Sequence, residues 1–110
     1  MNWVCFVGHS HKPGVFNYNV EKDDYGFTHL WDLADLKVDL REKGRWKAVI
    51  NVGSVGQPRD KDPRAAYCVF DPDAKTVAIR RVSYDFRLTQ RKIIDADLPA
   101  FLASRLSSGT

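Results

Sequence analysis

The chain has 110 residues, the size of one small domain, and 44% of them are hydrophobic, which excludes a disordered segment. The formal net charge of +3 comes from acids and bases mixed along the chain, so no dedicated nucleic-acid surface is expected. No apolar run approaches the length of a membrane span, no leader pattern stands at the start, and no membrane association is expected.

The first element is Val4-Cys5-Phe6-Val7, whose unbroken apolar character predicts a buried, central strand. Only Met1, Asn2 and Trp3 precede it, so nothing upstream covers its two faces, and an absent N-terminal part is expected. Gly8 lets the backbone leave the strand, and Pro13 ends the segment. Between them lie His9 and His11, separated by Ser10. Neutral imidazole is a common metal ligand, and a turn after glycine can aim two rings at two neighbouring ions. Taken alone, His-x-His is more often a surface turn with two unrelated histidines. Cys5 and Cys68 lie in apolar, strand-like runs and read as buried free thiols in a reducing cytoplasm.

Gly14 to Tyr18 reads as a short strand, and Glu21 to Gly26 as a polar turn. His29 is structural or merely exposed. Asp32 to Leu36 suggests one helical turn, Leu36 to Leu40 alternates as a half-buried strand, and Trp46 to Val52 forms the next strand around Ala48-Val49-Ile50. The loop that follows carries Asn51, Gly53, Ser54 and Gly56. Glycines three apart at a strand exit can turn backbone N–H groups toward one point, a nest for an anion, although a tight structural loop has the same composition. The Gly-Lys-Ser/Thr end of a Walker loop is missing. Arg59 and Arg64 either grip phosphate oxygens or pair with Asp60 and Asp62 to brace the loop.

Ala65 to Asp71 and Lys75 to Tyr84 form a hairpin around Pro72-Asp73-Ala74. Val77 and Ile79 share a parity that Val82 and Tyr84 break, which predicts a β-bulge near Arg80-Arg81. Asp85 caps a helix through Ile94. Asp97-Leu98-Pro99 opens a second helix, whose Phe101, Leu102, Arg105 and Leu106 form one inward stripe before Ser107-Ser108-Gly109 ends it. No internal repeat or linker is visible.

Val4-Cys5-Phe6-Val7-Gly8-His9-Ser10-His11-Lys12-Pro13-Gly14-Val15-Phe16 resembles the Gly-His-x-His segment of the calcineurin-like metallophosphoesterases. Asn51 to Asp60, with Asp62-Pro63-Arg64-Ala65 behind it, resembles a loop of a bacterial branch of that family, as do Arg80 to Asp85 and Phe101 to Leu106. Ser10 stands where threonine is usual, and Lys12 where an apolar residue is usual.

The resemblance implies an α+β fold, half of a four-layer α/β/β/α sandwich with a mixed, mainly antiparallel sheet and two C-terminal helices. Residues 1–110 would form a single domain, the C-terminal portion of that fold. It further implies that His9 and His11 each ligate one of two divalent ions, with Mn, Fe, Zn or Ni all suitable. Gly8, Asn51, Gly53, Ser54, Arg59 and Arg64 would line the phosphate-ester side. The family's remaining ligands have no counterpart in this sequence. The chain alone is therefore expected to hold at most one ion weakly, to hydrolyse nothing, and to pair with an N-terminal half or a second copy. Two other readings stand beside this one. The first is a non-catalytic binding or oligomerisation module with the same half-fold. The second is an unrelated α+β domain that binds an anion at Gly53 and Gly56.

Overall fold

The computed structural model describes residues 4–29, 37–39 and 46–110. Within them run β1 (Val4–Val7), β2 (Gly14–Asn19), β3 (Asp24–His29), β4 (Lys37–Asp39), β5 (Trp46–Asn51), β6 (Ala65–Asp71), β7 (Thr76–Val82), α1 (Phe86–Asp95) and α2 (Ala100–Ser108). The fold is α+β. The suggested helical turn at 32–36 lies outside the described residues, as do the ends of the strand read at 36–40.

The strands make two sheets, one in the order β1-β5-β2-β3 and the other β4-β7-β6. β1 runs parallel to β5, and every other pairing is antiparallel. The sheets meet through Val15, Ala48 and Ile50 on one side and Val77 and Ile79 on the other, with Val4, Val52, Cys68 and Phe70 packed around them. Phe6 and Phe70 touch across the gap, their ring centroids 5.3 Å apart. Each fully buried aliphatic side chain contributes roughly 1.5–3 kcal/mol, so this cluster is the chief apolar bond between the sheets.

Several sequence expectations are corrected. Among the described residues β1 is the edge strand of its sheet, and Cys5, Phe6 and Val7 are exposed. An apolar run predicts burial only where both faces have a partner layer, and among the described residues one face of this sheet has none. Cys5 is therefore an exposed thiol, and only Cys68 is half-buried; both are free. The polar run after Tyr18 is shorter than read, because Asp24, Tyr25 and Gly26 belong to β3 and pair with Asn19, Tyr18 and Asn17. The turn itself is closed by Asn19, whose Oδ1 accepts from the N–H groups of Glu21 and Lys22 at 3.0 and 3.1 Å.

No bulge interrupts the β6–β7 ladder, which is regular from Ala65↔Val82 to Asp71↔Thr76. The inward position after Val77 and Ile79 is taken by Arg81, not by an apolar residue. Arg81 is 9% exposed and forms an ion pair with Asp60, whose side chain is fully buried. It also donates from Nη1 to the Arg64 carbonyl oxygen at 3.2 Å. Hydrophobicity alone misread the phase because a paired charge occupies a core-facing site.

The helices follow the capping signals. The Asp85 carboxylate accepts from the Leu88 N–H at 3.4 Å, and Gly109 closes α2 in the left-handed conformation, φ 67°. Pro99 stands one residue before the first turn of α2. The two helices pack on each other, with Gln90 Nε2 donating to the Ala103 carbonyl at 2.8 Å. Ala103 and Leu106 are buried, whereas Phe101, expected to point inward, is 59% exposed. The Gly109 carbonyl accepts from the Lys61 N–H at 2.8 Å, which docks the end of α2 on the loop before β6. No helix among the described residues is long and apolar enough to cross a membrane.

Candidate functional site

Two loops meet where β1 and β5 end side by side. The parallel pairing carries past the strands, with the Val52 N–H donating to the Val7 carbonyl at 3.0 Å. The chain then turns at Gly8-His9-Ser10-His11, closed by a bond from the His11 N–H to the Gly8 carbonyl at 3.2 Å. Gly8 is not the residue that needs conformational freedom, since its φ is not positive and a Cβ there would come no nearer than 3.9 Å to another atom. His11 takes the left-handed conformation instead, at φ 60°. Histidine is among the side chains that tolerate this region, and such residues gather at functional sites.

His11 is half-buried, and its Nδ1 lies 2.8 Å from the Gln57 carbonyl oxygen. A carbonyl only accepts, so Nδ1 carries a proton, and a coordinating lone pair on this ring would be the one on Nε2. This is how a metal-ligating histidine is oriented, with one nitrogen tied to a carbonyl and the other left to coordinate. His9 lies exposed in the same turn. The described residues thus fit a metal as contributors to a larger ligand set. No three His, Cys, Asp or Glu side chains among them converge on one point.

Asn51 joins the loops. Its Nδ2 donates to Ser10 Oγ at 2.8 Å, and its Oδ1 accepts from the Gly53 N–H at 3.0 Å. Ser54 Oγ accepts from the N–H groups of Gly56 and Gln57 at 3.3 and 2.9 Å. The N–H groups expected to form an anion nest are therefore engaged by side chains of the loop itself. Gly53 adopts φ 81°, with its Cα wedged between Ala66 and Pro13. Gly8, His11, Val52, Gly53, Ser54, Val55, Ala66, Tyr67 and Cys68 line an open depression of about 360 Å³. Burial pushes the Cys68 thiol pKa up, which keeps it protonated at neutral pH.

The arginines divide. Arg64 grips Asp62 with Nη2 at 2.7 Å and Nε at 3.1 Å from its two carboxylate oxygens, so it braces the loop as one reading allowed. Asp60 pairs with Arg81 instead of with Arg59. Arg59 donates from Nη2 to Gln57 Oε1 at 3.2 Å, and its Nε is buried with no hydrogen-bond partner. Its backbone N–H donates to the His11 carbonyl at 3.3 Å, which sets Arg59 beside the histidine turn. Sequence reasoning missed Gln57, which acts through its backbone carbonyl, a group no residue type announces. It also missed Tyr67 and Cys68, which reach the depression only through the strand pairing.

No family model matches the chain. Over 106 residues it is 40% identical to an uncharacterized protein of Methanocaldococcus jannaschii, a match covering 96% of this chain and 39% of that protein. Its fold matches the crystal structure of a metallophosphoesterase from Sphaerobacter thermophilus, with a TM-score of 0.80 and 38% identity, over 98% of this chain and 42% of that one. The chain spans about two-fifths of the length of these proteins. The reading as an unrelated anion-binding fold falls with this likeness.

Proposed function

We propose that this chain, which has the fold of part of a calcineurin-like metallophosphoesterase, contributes His9 and His11 to a dinuclear metal centre that hydrolyses phosphomonoesters or phosphodiesters. The observation that carries the reading is the His11 contact with the Gln57 carbonyl, which fixes the tautomer and aim of a ligand before any ion arrives. Divalent ions, when bound, supply Lewis-acid stabilisation of charge on the phosphoryl oxygens.

The chain's own residues do the rest of what it offers. Asn51 clamps Ser10 and Gly53, so the histidine turn and the 52–58 loop move as one unit. Arg59, whose backbone N–H bonds the His11 carbonyl and whose buried Nε lacks an acceptor, is the arginine that would meet a phosphate oxygen beside the histidine turn. Tyr67, Val52 and Val55 form the apolar wall of the depression. The ligand set within the described residues is incomplete, so the isolated chain hydrolyses nothing at a useful rate. The two free thiols agree with a cytoplasmic setting.

The test is a chimera in which this chain replaces its matched counterpart in the Methanocaldococcus jannaschii relative, assayed with p-nitrophenyl phosphate and its diester. Metal-dependent turnover that His11→Ala removes supports the reading. Turnover that survives both His9→Ala and His11→Ala overturns it. A non-catalytic module is the second reading, favoured by the face of the β1-β5-β2-β3 sheet that the described residues leave uncovered, and it predicts that both substitutions are silent.

A further inference from the structure

The loop from Gln57 to Asp62 is held at both ends. At one end it grips His11, through the Gln57 carbonyl oxygen 2.8 Å from Nδ1 and through the Arg59 N–H, which donates to the His11 carbonyl at 3.3 Å. At the other end the Asp60 carboxylate enters the interior and pairs with Arg81 of β7. Only Pro58 and Arg59 lie between Gln57 and Asp60, and Pro58 is fully buried. Proline fixes its own φ and restricts the residue before it, which here is Gln57, so the link is stiff. Immediately beyond Asp60, Lys61 takes the left-handed conformation at φ 66°. A non-glycine residue stays there only where its surroundings determine it. Here the Lys61 N–H donates to the Gly109 carbonyl at 2.8 Å, and a Cβ on Gly109 would stand 2.6 Å from the Asp62 nitrogen.

We infer that Arg81 is a positioning residue for His11, acting through Asp60 and the stiff Gln57-Pro58-Arg59 link to hold the Gln57 carbonyl against Nδ1. Stability alone does not explain charges at this place. Arg81 faces inward in phase with Val77 and Ile79, and an apolar pair of similar volume in such a site is commonly as stable as the ion pair or more so. What an apolar pair lacks is direction. The Arg81 guanidinium carries its donors in a fixed fork. It meets the Asp60 carboxylate, and its Nη1 donates to the Arg64 carbonyl at 3.2 Å. Asp60 and Arg64 flank the segment 61–63, so one side chain of a regular strand sets the place of both its ends. A shift of the Gln57 carbonyl by about 1 Å would carry the contact with His11 beyond hydrogen-bond range. The ring would then be free to take the other tautomer, with its proton on Nε2. The inference rests on the proposed function only in reading Nε2 as the metal-ligating atom.

The tautomer of His11 reports on this relay without any metal. It is read by NMR of the metal-free 110-residue chain carrying nitrogen-15 histidine, at a pH where the rings are neutral, with exposed His9 as internal reference. In the parent, His11 should carry its proton on Nδ1. The double variant Asp60→Leu with Arg81→Met should regain much of the stability that Arg81→Met alone loses. Its ratio of Nδ1–H to Nε2–H forms at His11 should nevertheless fall about tenfold, the worth of one hydrogen bond. Pro58→Ala leaves the ion pair in place but loosens the link, and should lower the same ratio about threefold. Three results overturn the inference. One is an unchanged ratio in either variant when folded. Another is a parent His11 protonated on Nε2. The third is a double variant that does not fold, which would make the pair a matter of stability. The readout separates this claim from the functional one. Metal-free spectra decide the positioning, whereas His11→Ala turnover in the chimera decides the function, so either can fail alone.

Discussion

His11 Nδ1 and the Gln57 carbonyl oxygen lie 2.8 Å apart, although 46 positions separate the two residues in sequence. The contact exists because Gly53 lets the loop after β5 come close against Pro13, just past the histidine turn. A Cβ at Gly53 would stand 2.8 Å from Ala66 Cβ and 2.9 Å from Pro13 Cγ, at a φ of 81°. Gly53→Ala should therefore cost about 2–4 kcal/mol, from left-handed backbone strain and overpacking together. Thermal unfolding of the variant checks this, and an unchanged melting temperature would show that the loops do not depend on that close approach.

The Asp60–Arg81 pair is withdrawn from water, with 0 and 2% of the two side chains exposed. Removing one partner leaves the other charge buried and unpaired, so Arg81→Met should destabilise by about 3–5 kcal/mol. The double variant Asp60→Leu with Arg81→Met should recover much of that loss, because two apolar side chains satisfy each other. Urea denaturation of both singles and the double reads the coupling, and simple additivity would contradict it.

Hydrogen bonds from Arg64 hold the Asp62 carboxyl below its usual pKa of 3.8, with partial burial opposing them. A carboxyl depressed on folding binds fewer protons than the unfolded chain does. The stability it contributes is present above the unfolded value and is lost as pH falls through the folded one. Arg64→Ala should therefore be less stable than the parent near pH 6, and the difference should shrink as pH drops from about 4 toward 2. A difference that stays constant over that range would assign the Arg64 contribution to packing instead.

Among the described residues Arg59, unlike Arg64, pairs with no carboxylate, and its buried Nε lacks an acceptor. In the chimera, Arg59→Ala should lower turnover on the order of tenfold or more and leave the melting temperature nearly unchanged. A fall in stability with unaltered turnover would make Arg59 a loop brace.

The sequence made the two site loops legible because they rest on residue types with few uses: a His-x-His ended by proline, and glycines at a strand exit. The cap at Asp85 and the stop at Gly109 were legible for the same reason. Burial was not. Val4 to Val7 has the composition of a core strand, yet Cys5, Phe6 and Val7 are exposed, because composition records what a surface prefers and not whether a partner is present. Arg81 hid in the opposite way, as a charge in a core-facing position, and a bulge was inferred where the ladder is regular. Asp24 and Tyr25 entered a strand despite their polar neighbours, because β2 offered them a complete ladder.

The decisive measurement is the metal stoichiometry of the chimera. The chimera, loaded with Mn or Zn, desalted, and analysed for metal per chain by mass spectrometry, should carry close to two ions. His9→Ala and His11→Ala should each lower that content by about one ion while circular dichroism stays unchanged. Metal content unaffected by both substitutions in a folded protein would contradict the assignment of either histidine to the site.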